Sequence, residues 1–426
     1  MSTLSSPIKM LTRALIILAS AGAASACAQP ASFRGLGDLP GGDVYSTALG
    51  ISRDGRAIVG SSVSLGSAAG EEAVRWDSRG AALPLGQLNS GSPSAWSEAW
   101  AASSDGAVVV GMSGPSSTDT ASPRAFRWTK ASGMVPLGVL AGATQSRAYG
   151  VSDDGSVIVG YSGLAMSGLR AFRWTAQGGM AALPLPAIFA WNVSADGLVV
   201  AGYGGPTGAY LWTEAAGLVS LPLPGGATSS DGALISPDGT VAVGQAVSVG
   251  QQEAFRWSAA EGAIGLGDLA GGVFASYAWG TSAEGMVIIG QATTAVGSVP
   301  MIWDRAHGIR ELRLVLEQEF GLGAVLAGWT LKQVNGISAD GRTLVGYGID
   351  PGGFTEGWVA VFGYGCYPNC DSSTSPPVLN VADFSCFLTR FSLGDPYANC
   401  DGSTVPPVLN VNDFSCFMNK FAAGCS

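Results

Sequence analysis

The sequence predicts an all-β chain, a seven-bladed β-propeller closed by its own N-terminal strand, followed by a small α-helical, disulfide-rich C-terminal domain. Three observations predict it: a Ser-x-Asp-Gly tetrad that recurs seven times, a tryptophan-ended strand after each tetrad, and six of the seven cysteines lying between Cys366 and Cys425. The 426 residues are 47% hydrophobic and 12% charged, and that apolar share excludes a disordered chain. A net charge of -10 excludes binding to nucleic acid or to an anionic membrane by charge. His307 is the only histidine, so imidazole catalysis has a single candidate.

In chain order, Lys9 and Arg13 precede an uncharged, mostly apolar run from Ala14 to Ala24, and small residues then allow cleavage after Ala26 or Ala28. This reads as an export signal over residues 1–28. The rival reading makes Cys27 a lipidated N-terminus, although Ala24 stands where such signals usually carry Leu. No later stretch reaches the ~20 apolar residues of a bilayer span.

The tetrads start at Ser52, Ser103, Ser152, Ser194, Ser236, Ser282 and Ser338, with Glu284 replacing Asp once. Five residues after each turn glycine comes another: Gly60, Gly111, Gly160, Gly202, Gly244, Gly290 and Gly346. The tetrad suits a type I turn ending in a left-handed glycine, so it is expected to join two strands, A and B, as a hairpin. Strand C ends at Trp76, Trp128, Trp174, Trp212, Trp257, Trp303 or Trp358, and strand D carries leucines, as in MVPLGVL. Four short strands repeated every 42 to 56 residues point to propeller blades over residues 29–363. The seventh unit stops after WVAVF, and SFRGLGDL (32–39) reads as its missing D strand, a complement that an open solenoid would not need.

At these residues the chain resembles the HAF family of extracellular repeats, whose pattern LGxLxGG, SxA, SxDG, VVG and AFxW is matched from about Phe33 to Phe362. The resemblance implies a secreted or surface protein of bacterial type and no particular chemistry.

Five positions before the turn acid stand Leu49, Trp100, Tyr149, Trp191, Ala233, Trp279 and Asn335. Strict alternation puts these on one large face of each blade, so Trp100, Tyr149, Trp191 and Trp279 are expected to pack against the next blade. The alternative makes them possible ligand residues, stacking on sugar rings where the D-A and B-C loops open opposite the turns. Those loops include NSGSPSAWSEAW, AGATQSRAY, EQEFGLGAVLAGW and MSGPSSTDTASPR. Arg75, Arg127, Arg173 and Arg256 precede strand C tryptophans and are expected on a solvated face or paired with a neighbouring acid. No catalytic constellation stands out. The turn acids recur in every unit, which suits folding, and His307 falls in a C-D connection at the periphery.

The last segment repeats itself with a 30-residue offset, YPNCDSSTSPPVLNVADFSCFLTRF and YANCDGSTVPPVLNVNDFSCFMNKF. An even cysteine count in so small an exported segment implies disulfides, with zinc the competitor. Six cysteines allow fifteen connectivities, and the duplication favours Cys370 with Cys386, Cys400 with Cys416, and Cys366 with Cys425. Each copy ends in an amphipathic helix, with Phe384, Phe387, Leu388 and Phe391 in one stripe and Phe414, Phe417, Met418 and Phe421 in the other. Asn369, Asp371, Asn380 and Asp383, with their duplicates Asn399, Asp401, Asn410 and Asp413, supply oxygens of the kind Ca2+ requires.

This tail, residues 364–426, resembles a cysteine-containing dockerin, a paired calcium-loop module. The resemblance implies anchoring to a cohesin-like or cell-surface receptor. It departs from the DxNxDGx[VI]NxxD loop: Tyr367 and Tyr397 occupy the first position, and Pro376-Pro377 or Pro406-Pro407 lies in an insert. The functional expectation is an exported surface binding or display protein, its propeller binding a ligand such as a polysaccharide. The alternative is a polysaccharide-active hydrolase on the same anchored scaffold.

Overall fold

The computed structural model describes residues 31–65, 70–77, 79–88, 95–114, 123–164, 167–362, 381–392 and 410–423. The chain divides into two compact units, 30–364 and one containing 365–426. The larger is mostly β. Its local plan is the four-stranded antiparallel meander, seen for instance in Gln145–Val151, Val157–Gly163, Arg170–Thr175 and Gly179–Ala182. Two such meanders, around Val241–Ser248 and Val287–Thr294, are joined by one parallel bridge from Gln252 to Ala275. The sheet of the seventh unit has only three strands of its own, and Ser32–Gly35 pairs antiparallel with Thr355–Val361 at its edge.

Each tetrad builds its turn through side-chain chemistry. In six units the Ser Oγ lies 2.5 to 2.8 Å from the turn Asp Oδ1. In all seven the same Oγ accepts the N–H five residues on, at 2.9 to 3.0 Å. Hydrogen bonds from that serine and the following backbone hold the carboxyls of Asp154 and Asp196 below the usual aspartate range. The sixth unit shows what the acid contributes. Glu284 takes φ 58°, and the Ser282 Oγ turns to the Ala283 carbonyl.

In five units the residue after the serine donates to the turn of the next unit. Backbone N–H groups of Ser104, Asp153 and Ala195 donate to the carbonyls of Asp153, Ala195 and Pro237, and that of Asp54 reaches Ser104. Ala283 then donates to Ala339, and Ala339 donates to Arg53 at 2.9 Å, so the seventh turn bonds to the first. The corresponding donor from the fifth turn does not exist, because Pro237 has no N–H.

Trp76 and Trp358 are fully buried on strand C, and Leu85, Leu137, Leu183, Leu221 and Leu266 are buried beside strand D. The connection containing EQEFGLGAVLAGW differs from the open loop expected. Helix α1 (Leu312–Gln318) buries Leu312, Val315 and Leu316, and Leu322 and Leu326 follow them into a core shared with Phe33 and Trp358. Burying five apolar side chains outweighs leaving that insertion in solvent.

In the smaller unit, α2 (Val381–Ser392) and α3 (Val411–Ala423) meet through Phe387 and Phe417, stacked with centroids 4.1 Å apart. The expected stripe is wider than the observed seam: Leu388 and Met418 remain 41% and 38% exposed. Two helices facing each other bury only a narrow strip of each.

Candidate functional site

The strict alternation assumed for strand A is broken in every unit. A β-bulge inserts one extra residue opposite strand B, and that residue is Leu49, Trp100, Tyr149, Trp191, Trp279 or Asn335. In the fifth unit Asp231 and Gly232 together stand opposite Gln245. The bulge explains the recurrent strand B glycine. A Cβ on Gly60 would lie 1.8 Å from the Thr47 carbonyl oxygen, and one on Gly160 would lie 1.9 Å from that of Arg147. Only glycine admits so close an approach of two backbones.

The bulge re-aims the side chains. Trp100, Tyr149, Trp191 and Trp279 are half-buried and line a cavity of about 500 Å3, instead of packing fully into the next unit. Three of them form a continuous wall. Tyr149 meets Trp100 and Trp191 edge to face, each at 5.2 Å, and Trp191 stacks on Phe189 at 4.9 Å. Glycine at 232 keeps room for this wall, since a Cβ there would lie 2.8 Å from the Trp191 Nε1.

Polar side chains share the lining with the aromatic ones. Asp231, Gln245, Gln333 and Asn335 contribute to it. Asn192 is fully engaged by the Ile235 backbone, whose N–H it accepts at 2.7 Å and whose carbonyl it donates to at 2.9 Å. Asn335 donates to the Ala48 carbonyl, and Gln333 accepts from the Tyr347 hydroxyl. Gln245 differs from these. It is 8% exposed, and its Nε2 has no acceptor among the described residues.

Below the chamber a narrower space of about 160 Å3 runs between strands A toward the tetrad turns. Arg53 lies across it, paired with Asp153 and donating to the Val193 carbonyl at 2.6 Å, so a residue of the first turn reaches the third and fourth units.

Beside Trp100 stands a partly buried acid. Glu98 Oε2 accepts the Trp100 indole N–H at 3.2 Å. Burial, reinforced by the charge of Glu71, pushes Glu98 up to about 7, while the indole N–H and Arg147 pull the other way. Glu71 is itself held by the Ser61 hydroxyl. Sequence reading singled out neither Gln245 nor Glu98. The signal for the bulge, and so for what faces the cavity, was the isolated glycine in each strand B.

The other candidates fall elsewhere. His307 sits exposed in the turn between Gly297–Asp304 and Gly308–Glu311, its Nδ1 2.8 Å from Asp304 Oδ1. Arg75 and Arg256 do not simply face solvent. Their Nε atoms donate to the carbonyls of Gly106 and Gly285, the turn glycines of the following units. In the tail, Asp383 and Asp413 are fully buried. Asp413 Oδ2 accepts the Asn410 N–H at 2.8 Å and Asn410 Oδ1 accepts the Asn412 N–H, an arrangement that caps α3. Among the described residues no group of three or more acids, histidines or cysteines could hold a metal ion. Asn369, Asp371, Asn380, Asn399 and Asp401 lie outside the described residues. Cys386 and Cys416 are disulfide-bonded. The expected pairings involve Cys366, Cys370, Cys400 and Cys425, which lie outside the described residues, as do residues 1–28 and the loop segments 89–94 and 115–122. No helix among the described residues is long and apolar enough to cross a membrane.

No family model and no curated protein matches the chain. Among solved structures it is similar to TolB from Acinetobacter baumannii, at 13% identity and a TM-score of 0.41, over 59% of this chain and 62% of that one. It is also similar to a putative TolB from Agrobacterium tumefaciens, at 12% identity and a TM-score of 0.36, over 78% and 91% of the two chains. The chain thus spans less than two thirds of the Acinetobacter protein.

Proposed function

We propose that this chain is an exported, non-enzymatic binding protein: a closed seven-bladed propeller of HAF-like repeats that holds a ligand in its central cavity and is attached through its dockerin-like tail. The observation that carries the binding reading is the bulge itself. Bulges stand at the equivalent place in six of the seven units and put Trp100, Tyr149, Trp191 and Trp279 around one chamber, where their rings stay partly open to solvent. A residue needed only for packing gains nothing from that exposure. The ring reading rests on the edge pairing of Ser32–Gly35 and on the bond from the seventh turn to the first.

A hydrolase on the same scaffold would need a pair of acids facing the chamber, and Asp231 is the one carboxylate in its lining. Glu98 has the raised acidity of a proton donor, yet its carboxylate is occupied by Trp100 and is not part of the lining. Binding is therefore favoured over turnover. The tail is read as an anchor for a cohesin-like or cell-surface receptor, with calcium bound beside Asp383 and Asp413 in the first turns of α2 and α3. Calcium against EDTA should raise hydrogen-exchange protection of 381–392 and 411–423 in the full chain.

The binding reading is tested by filling the cavity. Leu49 occupies the bulge position that carries Trp in other units, so Leu49→Trp should fold while occluding the chamber. Ligand-observed NMR with a mixed panel of saccharides, alkylammonium ions and short peptides should show at least one binder lost in Leu49→Trp. Identical spectra for both proteins would refute a cavity ligand.

A further inference from the structure

Resting on the binding reading, we infer that the cavity takes one neutral sugar ring, presented end-on as a terminal or side unit of a glycan, with Gln245 as the donor that fixes it. The chamber volume of about 500 Å3 lies within the ~300 to 1,000 Å3 typical of small-molecule sites and suits a ring with a linkage leaving through the mouth. Arg53 closes the other end, so a chain cannot thread through.

The aromatic and the polar lining residues match the two kinds of surface on a pyranose. Trp100, Tyr149 and Trp191 form an aromatic wall, and aromatic faces are electron-rich, so they attract the weakly positive C–H groups of a sugar ring. In the same lining, the Gln245 amide is buried with no acceptor for its N–H among the described residues. A buried donor left unpaired is destabilising, and a ligand oxygen in reach relieves it. Asp231, exposed at the lining, is an acceptor for a hydroxyl.

The same features discriminate against other chemistries. The residues lining the main chamber include no lysine and no arginine, which leaves a phosphate or carboxylate without a counter-charge. An alkylammonium ion would suit the aromatic wall but offers no oxygen to Gln245. A neutral, hydroxylated ring satisfies the aromatic wall and Gln245 at once.

The test is a titration of the full chain, followed by tryptophan fluorescence and calorimetry. The probes are methyl hexosides, methyl N-acetylhexosaminides and their linear tetrasaccharides, with tetramethylammonium, inorganic phosphate and a neutral tripeptide as comparators. The expected result is saturable binding of at least one saccharide, weakened tenfold or more by Gln245→Leu while the melting temperature of that variant holds or rises. Saccharide binding unchanged in Gln245→Leu would overturn the assignment of the donor. Binding of tetramethylammonium or the peptide without any saccharide would overturn the sugar and leave the cavity reading intact. If no probe binds in a manner sensitive to Leu49→Trp, both readings fall.

Discussion

Glu98 accepts the indole N–H of Trp100, which lines the cavity. Burial, which disfavours the charge, pushes the Glu98 carboxyl up to about 7 in the folded chain, against ~4.3 for an unfolded glutamate. Between those values the folded form keeps a proton that the unfolded form has released, so stability falls as pH rises from about 4.5 through 7. Glu98→Gln should remove that slope and stabilise the chain at pH 8 by about 1 to 3 kcal/mol, measured by denaturant melts at several pH values. Trp100 fluorescence should titrate over the same window in the parent and stay flat in the variant, since the carboxylate accepts the indole N–H. Two of the turn acids act in the opposite sense. Asp154 and Asp196 are held below the usual range, so their contribution is present above an unfolded aspartate's ~3.9 and is lost as pH falls through their lowered values.

At the scale of the element, strand A separates two kinds of tryptophan. Trp76 and Trp358 on strand C are fully buried, and Trp76→Ala should cost ~3 to 5 kcal/mol through the cavity it leaves. Trp191 is half-buried at a bulge, and Trp191→Ala should cost about 1 to 2 kcal/mol, mainly its ring contacts with Phe189 and Tyr149. Thermal melts of both variants check the contrast. The hairpins were legible in the sequence because Ser-x-Asp-Gly encodes its own hydrogen bonds within six residues. The aim of strand A was not, because a period-two reading of Trp100 or Trp191 assumes an unbroken ladder, whereas a single inserted residue reverses every side chain beyond it. The glycine of each VVG carried that information in a form that hydrophobic patterning ignores. Helix α1 was missed for a similar reason. LRLVLEQ has apolar residues at helical spacing, but it sits in an insertion that the repeat made look like one more variable loop.

For the whole molecule, the account requires that the seven units form one ring and that the ring, not any single unit, makes the site. Deleting Ser32–Gly35 would strip the outer edge of the seventh unit and leave the backbone of Thr355–Val361 unpaired. The truncated chain should melt lower and aggregate at concentrations where the parent stays monodisperse, as light scattering can show. Cavity residues come from units far apart in sequence, from Leu49 to Asn335, which is why no local motif announced the site. The repeats were legible one at a time; what their bulges converge on appears only when the units are brought together. The central claim, that ligand enters this chamber, is tested most directly by 19F NMR of the full chain labelled with 5-fluorotryptophan, its resonances assigned by single Trp→Phe variants. On titration with the saccharide probes, Trp100, Trp191 and Trp279 should shift and saturate together while Trp76 and Trp358 stay fixed. Saturable binding that leaves those three resonances in place would contradict the account.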